Sequence, residues 1–307
     1  MEKFEITILG CGAALPTAKH LSSMQMVNIR EKLFLLDCAE GAQTVLRHNR
    51  FKLTNLHTIF LTHMHGDHCF GLIGLLSSLG LLGRTAPLNI YGPKELKTIF
   101  QPQIDYFCAD SPFSINLIEI DHKQPALIYE DRSVEVHSLP LSHRIPCCGY
   151  LFREKPTLPH IRREKIDAFH IPTSQINNIK AGLDWTAPDG TVIPNSLLTY
   201  PADPVRSYAY CTDTTFIGER LTRLIDDVTM LYHEATFSSE HALLAKKTHH
   251  STAQQAAETA RLCNAHRLLI GHFSSRYNDE NILLDEAKSI FPNTILAREN
   301  MKINLNK

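Results

Sequence analysis

The chain has almost no net charge: 31 lysines and arginines stand against 32 aspartates and glutamates, a formal charge of −1. That excludes a protein that coats nucleic acid through its overall field, but leaves room for a local basic patch. There is no run of 18 apolar residues and no apolar segment behind Met1-Glu2-Lys3-Phe4, so neither a membrane span nor a signal peptide is expected. None of the 8 cysteines forms a C-x-x-C pair, and Cys147 and Cys148 are adjacent, too constrained for a structural disulfide. Free thiols in a reduced, cytoplasmic protein are the expectation. Internal repeats and low-complexity tracts are missing too. What remains, 307 residues at 43% hydrophobic and 21% charged, is enough for one large globular domain or two modest ones.

Histidine is plentiful: there are 17, and they are grouped. The densest group is Leu61-Thr62-His63-Met64-His65-Gly66-Asp67-His68. Before it, His57 to Thr62 reads as a short strand of β-branched and aromatic residues. After it, Phe70 to Leu82 carries leucines at helical spacing and reads as a buried helix. The cluster therefore sits on a strand-to-helix turn, where Gly66 frees the backbone to bend. His63 and His65 are two apart and point the same way in an extended turn. Asp67 and His68, at the helix start, can diverge toward a second position. Imidazole and carboxylate suit zinc and its neighbours, and a split of two and two suggests a pair of metals. The alternative is a surface loop that happens to be rich in histidine.

H-x-H-x-D-H after a strand resembles the signature loop of the metallo-β-lactamase superfamily. Other segments fall at successive strand ends. Val134 to Leu139 runs into Ser142-His143-Arg144. Ser207 to Cys211 ends at Thr212-Asp213-Thr214. Val228 to Tyr232 stops at His233-Glu234-Ala235-Thr236, and Arg267 to Gly271 at His272-Phe273-Ser274-Ser275-Arg276-Tyr277. With Thr248-His249-His250-Ser251-Thr252, these segments resemble the ribonuclease Z family, whose members trim the 3′ end of tRNA. The resemblance covers nearly the whole chain. It implies an α/β fold, the αβ/βα four-layer sandwich of two packed mixed sheets. It implies two zinc ions per chain, one on His63, His65 and His143 and the other on Asp67, His68 and His272, with Asp213 bridging. Asp67 would also orient the nucleophile or accept its proton. Glu234 and His250 would form a hydrogen-bonded pair beside the metals, His249 being the rival for the second position. Ser274, Ser275 and Arg276 would grip a phosphate. Asp37 would support the metal loop from behind, although an N-cap for the helix from Ala42 to His48 reads equally well.

The rest reads as alternating strands and helices: strands from Phe4 to Gly10, Met26 to Ile29, Lys32 to Asp37, Pro87 to Tyr91 and Ser114 to Ile120, and a helix opened by Pro93 at its first position. Ser251 with Gln254 reads as a capping box. From Arg153 to about Pro204 periodicity is poor, and five of the thirteen residues from Arg153 to Lys165 are basic, with Arg162 and Arg163 adjacent. A solvated insertion is one reading. The family resemblance implies a protruding tRNA-binding arm at about 153–204 on a single domain spanning 1–307, and a homodimer acting on precursor tRNA. Two other functions fit the first motif. A small-substrate metallo-hydrolase, such as a lactonase or arylsulfatase, is disfavoured by His233 to Thr236 and Ser274 to Tyr277. An inactive RNA-binding paralogue is disfavoured because all seven ligand positions are filled.

Overall fold

The structure, a computed structural model, describes residues 2–216 and 218–306. The chain folds as two compact units: residues 154–206, and the remainder on either side of them in sequence.

Among the described residues, the larger unit is built on two seven-stranded sheets. One has the order 302–304, 4–10, 24–29, 32–36, 56–60, 88–93, 115–120; the other has 294–296, 268–271, 230–234, 207–211, 148–154, 134–140, 126–130. Both mix parallel and antiparallel pairs. Side-chain alternation decides the layering. In Lys32–Leu36, Phe34 and Leu36 join the core between the sheets, whereas Leu33 and Leu35 join a second core under the helices Ala42–His48, Leu72–Leu81 and Leu96–Phe107. Phe34 and Phe60 of one sheet meet Phe152 of the other edge-on, each with 5.6 Å between ring centroids. Ala256 and Ala260 of Ala253–Leu262 and Leu283 and Ala287 of Asn281–Ile290 complete the far side. Helix, sheet, sheet and helix make the four layers that the resemblance implies.

Buried tyrosines tie the two sheets together by hydrogen bonds as well as area. Tyr210 donates to Asp37 Oδ2 at 3.0 Å, Tyr150 to the Leu61 carbonyl at 2.5 Å, and Tyr208 to Gln25. A buried hydroxyl needs such a partner, because leaving it unpaired costs about 1–3 kcal/mol.

Several expectations are corrected. Pro93 does not open a helix; it ends the strand Leu88–Pro93, paired with Ile120, and the helix begins at Leu96. The capping box is one residue later, Thr252 with Gln255: the Gln255 N–H donates to Thr252 Oγ1 at 3.3 Å and the Thr252 N–H to Gln255 Oε1 at 3.0 Å. Ser251 instead donates to the Thr214 carbonyl at 2.6 Å. The edge strand Ala126–Glu130 leaves no clear trace in the sequence, because little of it is buried and its alternation is weak. Asp131 makes its turn by accepting from the Ser133 N–H, the Ser133 hydroxyl and the Val134 N–H. The strand Lys302–Asn304, too short to show a pattern, pairs with Phe4–Gly10.

The smaller unit has a core of its own: Ile166, Ile171, Ile179, Trp185, Ile193 and Leu198. Two short ribbons, His160–Ile161 with Thr199–Tyr200 and Trp185–Thr186 with Val192–Ile193, frame it. Where its ends meet, Glu154 and Arg206 form a buried two-pronged ion pair at 2.6 and 2.5 Å.

Candidate metal centre

Five residues of this centre stand just past the C-terminal end of a strand or on its last position, while Asp67 and His68 lie on the short helix Gly66–Cys69 and His250 follows the helix Ala242–Thr248. His63 follows Leu56–Phe60, His143 follows Val134–Pro140, Asp213 follows Ser207–Cys211, Glu234 ends Met230–Glu234, and His272 follows Leu268–Gly271. Two of these turns use left-handed backbone, with φ of 44° at Asp213 and 61° at His272. Asp and His tolerate that region better than bulkier residues do.

The fold brings all seven expected ligands together. The ligand atoms of His63, His65 and His143 lie within 4.8 Å of one another, and so do those of Asp67, His68 and His272. Asp213 stands between the sets with one oxygen toward each side. Its Oδ2 is 3.2 Å from His68 Nε2 and 3.2 Å from His272 Nε2. Its Oδ1 is 3.9 Å from His143 Nε2 and 3.7 Å from His250 Nδ1. His68 Nε2 and His272 Nε2 are buried and make no hydrogen bond despite that closeness. A buried polar nitrogen without a partner is costly, and here two of them face one carboxylate. Orphaned imidazole nitrogens beside carboxylate oxygens are the donor set of a zinc-type ion, so the residues fit the metals expected of them.

Charge balance supports this. Burial alone would raise the Asp213 carboxyl, but His272, His68 and His63 outweigh it and hold Asp213 well below the usual carboxylate range. Burial pulls His68 down, yet Asp213 and Asp37 raise it well above the ordinary histidine value. At His63 burial, with His68 beside it, outweighs Asp213 and leaves the ring well below that value.

Hydrogen bonds behind the centre fix each ring. Asp37 is not the cap of Ala42–His48, where Gly41 stands without a side-chain bond. It accepts from the Thr62 N–H at 2.8 Å and its hydroxyl at 2.9 Å, and it faces His68 Nδ1 at 2.8 Å. The support reading is therefore the correct one. His143 Nδ1 donates to the His249 carbonyl at 3.0 Å, which turns Nε2 inward. His249 thus contributes its backbone, and His250 takes the place beside Glu234, with 2.9 Å from Nδ1 to Oε1. Glu234 also accepts from the Thr214 N–H at 2.8 Å and from the Thr236 hydroxyl, which contacts His272 Nδ1 at 2.9 Å. One buried carboxylate thereby holds both His250 and His272. Burial would lower His250, but Glu234 outweighs it and lifts the ring to about 9. Asp67 accepts the Ala14 N–H at 3.0 Å.

The other expected residues are less enclosed. Ser275 and Arg276 are exposed and Ser274 is half-buried, while Tyr277 anchors their loop by accepting the Ser238 N–H at 2.8 Å. In the smaller unit, Arg162 donates to the Thr199 carbonyl at 3.0 Å and stacks over Tyr200 at 4.2 Å, so it is partly structural. Arg163 is 85% exposed and pairs with Asp167. Sequence reasoning missed a cleft of about 610 Å³ beside His143, lined by His122, Lys123, Arg144 and Arg220. Only their convergence in space marks it, since the four are spread over nearly a hundred residues.

Comparison with known proteins places this geometry. A protein-family model described as anti-Pycsar protein Apyc1 matches residues 4–104. A ribonuclease Z of Bacteroides thetaiotaomicron is 52% identical over 306 residues, covering 100% of this chain and 96% of that protein. A ribonuclease Z of Bacteroides fragilis is 51% identical over 305 residues, covering 99% and 100%. Among solved structures, human tRNase Z, short form (ELAC1), aligns with a TM-score of 0.70 at 26% identity, covering 98% of this chain and 99% of that one.

Proposed function

The chain belongs to the ribonuclease Z family, and on that premise we propose that it is a metal-dependent endoribonuclease that removes the 3′ trailer from precursor tRNA. The observation that carries the reading is the pairing of Asp213, whose two oxygens face two sets of ligands, with a separate Glu234–His250 pair beside it. His63, His65 and His143 would hold one zinc ion, Asp67, His68 and His272 a second, and Asp213 would touch both. When bound, such a pair supplies charge that neutralises phosphoryl oxygens and makes water acidic enough to attack near neutral pH.

The chain's own residues do the rest. Asp67, steadied by the Ala14 N–H, orients the attacking water. Its oxygen joins phosphorus as the bond to the 3′-oxygen breaks. That oxygen leaves with a proton from His250, whose Nδ1 is committed to Glu234 so that Nε2 carries the transferred proton. The products are a tRNA 3′-hydroxyl and a 5′-phosphorylated trailer. The hydroxyls of Ser274 and Ser275 and the Arg276 guanidinium grip a neighbouring phosphate. The test is cleavage of one labelled precursor tRNA with its product ends mapped to the nucleotide. Turnover of small esters without any cut in precursor tRNA would replace this reading with the small-substrate hydrolase.

The cleft beside His143 extends the reading along the RNA. Lys123→Ala with Arg220→Ala removes two of its cations and leaves the expected ligands in place. The KM for precursor tRNA rises, and its salt dependence flattens by about 0.7 for each phosphate that is no longer neutralised. An unchanged salt slope would exclude the cleft as an RNA track.

The basic run of the smaller unit holds the body of the tRNA. Replacing Arg162 and Arg163 with Ala raises the KM for precursor tRNA and flattens its salt dependence, while the rate on a small phosphodiester stays unchanged. Because Arg162 also anchors Thr199 and Tyr200, Arg163→Ala alone separates the effect of charge from that of structure. A wild-type KM and salt slope in both variants would mean that this segment does not touch tRNA. On the same family ground we place the protein in the cytoplasm as a homodimer, with a solution mass near twice 34.7 kDa as the check on assembly. Among the described residues, no helix is long and apolar enough to cross a membrane.

A further inference from the structure

A second group of ligand-type side chains lies outside the centre just described. Cys11 follows the strand Phe4–Gly10, His20 ends the loop after it, and Glu299 precedes Lys302–Asn304. Cys11 Sγ is 3.4 Å from His20 Nδ1 and 3.4 Å from Glu299 Oε1, and His20 Nδ1 is 2.9 Å from that same oxygen. The other ring nitrogen, His20 Nε2, is 3.1 Å from Glu280 Oε1, and Lys19 pairs with Glu280. The thiol is fully buried, whereas the His20 and Glu299 side chains are 12% and 19% exposed, so the group is closed on one side and open to solvent on the other.

We propose that Cys11, His20 and Glu299 form a binding site for a zinc-type divalent ion, with Glu280 orienting His20 from behind. Three arguments support it. The first is geometric. Bond lengths of about 2.0–2.3 Å put the ligand atoms of a tetrahedral zinc site roughly 3.3–3.6 Å apart. Two of the observed separations lie in that range, and the third opens by a few tenths of an ångström. The second is the partner on the far nitrogen. A metal-bound histidine commonly donates its other N–H to a carboxylate, which fixes the ring, and Glu280 holds that position. The third is charge. A thiolate and a carboxylate balance one dication, and Lys19 balances Glu280, so the loaded site is neutral without any further group.

A network of hydrogen bonds is the competing account. It has Glu299 serve the thiol at 3.4 Å, the imidazole at 2.9 and 3.1 Å through its two oxygens, and the Leu21 N–H at 3.2 Å, with the Ala297 carbonyl, 3.7 Å from Sγ, as a further acceptor for the thiol. An ion replaces the first two demands with bonds to itself. The thiol proton leaves to the buffer when the ion enters, since only the thiolate ligates. Burial and Glu299 push that thiol well above its usual range, so affinity rises with pH. The site also reaches the main centre through backbone. The Cys11 carbonyl accepts the Phe273 N–H at 2.9 Å beside His272, and Ala14, three residues on, holds Asp67.

Sulfur gives the test its handle, because the seven residues of the main centre include no cysteine. Metal-free, full-length protein is titrated with Co²⁺ alone and followed for the near-ultraviolet band of thiolate-to-cobalt charge transfer. The expected result is a band whose full intensity corresponds to one thiolate-bound cobalt per chain, however many further ions the main centre takes up, and which strengthens with rising pH. In Cys11→Ser the band disappears and the chain holds one metal fewer than wild type, whatever number the main centre retains. Glu280→Gln keeps the band and weakens Co²⁺ binding at this site about 10–100-fold. No band from the wild-type protein at saturating Co²⁺ would overturn the proposal without reliance on any variant. A band that survives in Cys11→Ser would assign the sulfur to another cysteine and overturn it equally.

Discussion

Asp213→Ala is expected to bind less than one metal per chain and to leave no measurable cleavage of precursor tRNA. The carboxylate faces His68 and His272 through Oδ2 and His143 and His250 through Oδ1. Losing it removes charge from both halves of the centre at once. Two dications would then face each other across a gap without shared negative charge, in a buried setting where repulsion is poorly screened. His143→Ala, in contrast, opens a position on one side and leaves Asp67, His68 and His272 in place. Asp213→Ala should therefore lose more metal and more activity than any single histidine variant. Metal content after dialysis and cleavage of one labelled substrate read both quantities. Two tightly held metals in Asp213→Ala would defeat the bridging role.

How far the sequence reaches depends on how far apart the interacting residues are. The loop His63 to His68 is legible because strand, turn and ligands are contiguous, and period alone aims the side chains. Single residues such as His143, Asp213 and His272 are legible only through family resemblance; a lone histidine after a strand carries little by itself. Asp37 stays ambiguous in sequence, because cap and support need the same residue type. The 2.8 Å contact with His68, 31 positions away, settles it. Thr62 and Thr236 escape sequence reasoning for the same reason: a threonine hydroxyl between a carboxylate and a histidine is visible only in space. Local chemistry also admits shifts of one residue. Ser251 and Thr252 are both good caps, and tertiary contact chose the second by giving Ser251 the Thr214 carbonyl. The basic insertion shows the largest gap between pattern and structure. Six buried residues scattered from Ile166 to Leu198 have no common period, yet they make a core because short ribbons and single turns bring them together.

His250→Ala is expected to leave metal content unchanged and to lower kcat on precursor tRNA by about 10²–10⁴-fold, the usual contribution of a positioned acid or base. Its Nδ1 is committed to Glu234, and His250 is not among the expected metal ligands, so the loss falls on proton transfer. An aryl phosphodiester, whose departing oxygen needs no proton, should lose much less. Glu234→Gln supplies the pH test. An acid works in its protonated form, which prevails below its pKa. Glu234 outweighs burial and lifts His250 to about 9, so the ring is protonated at neutral pH. Replacing the carboxylate by an amide removes that lift and leaves burial, which favours the neutral ring, opposed by the smaller effect of Asp213. The alkaline limb of the kcat profile should then move to lower pH, with the loss smallest on the acid side and growing through neutrality. Thr236 remains to hold His272, so metal content reports whether the variant has disturbed more than the acid. Equal losses on both substrates in His250→Ala, or an alkaline limb that stays put in Glu234→Gln, would remove His250 from the role of acid and return it to a structural contact of Glu234.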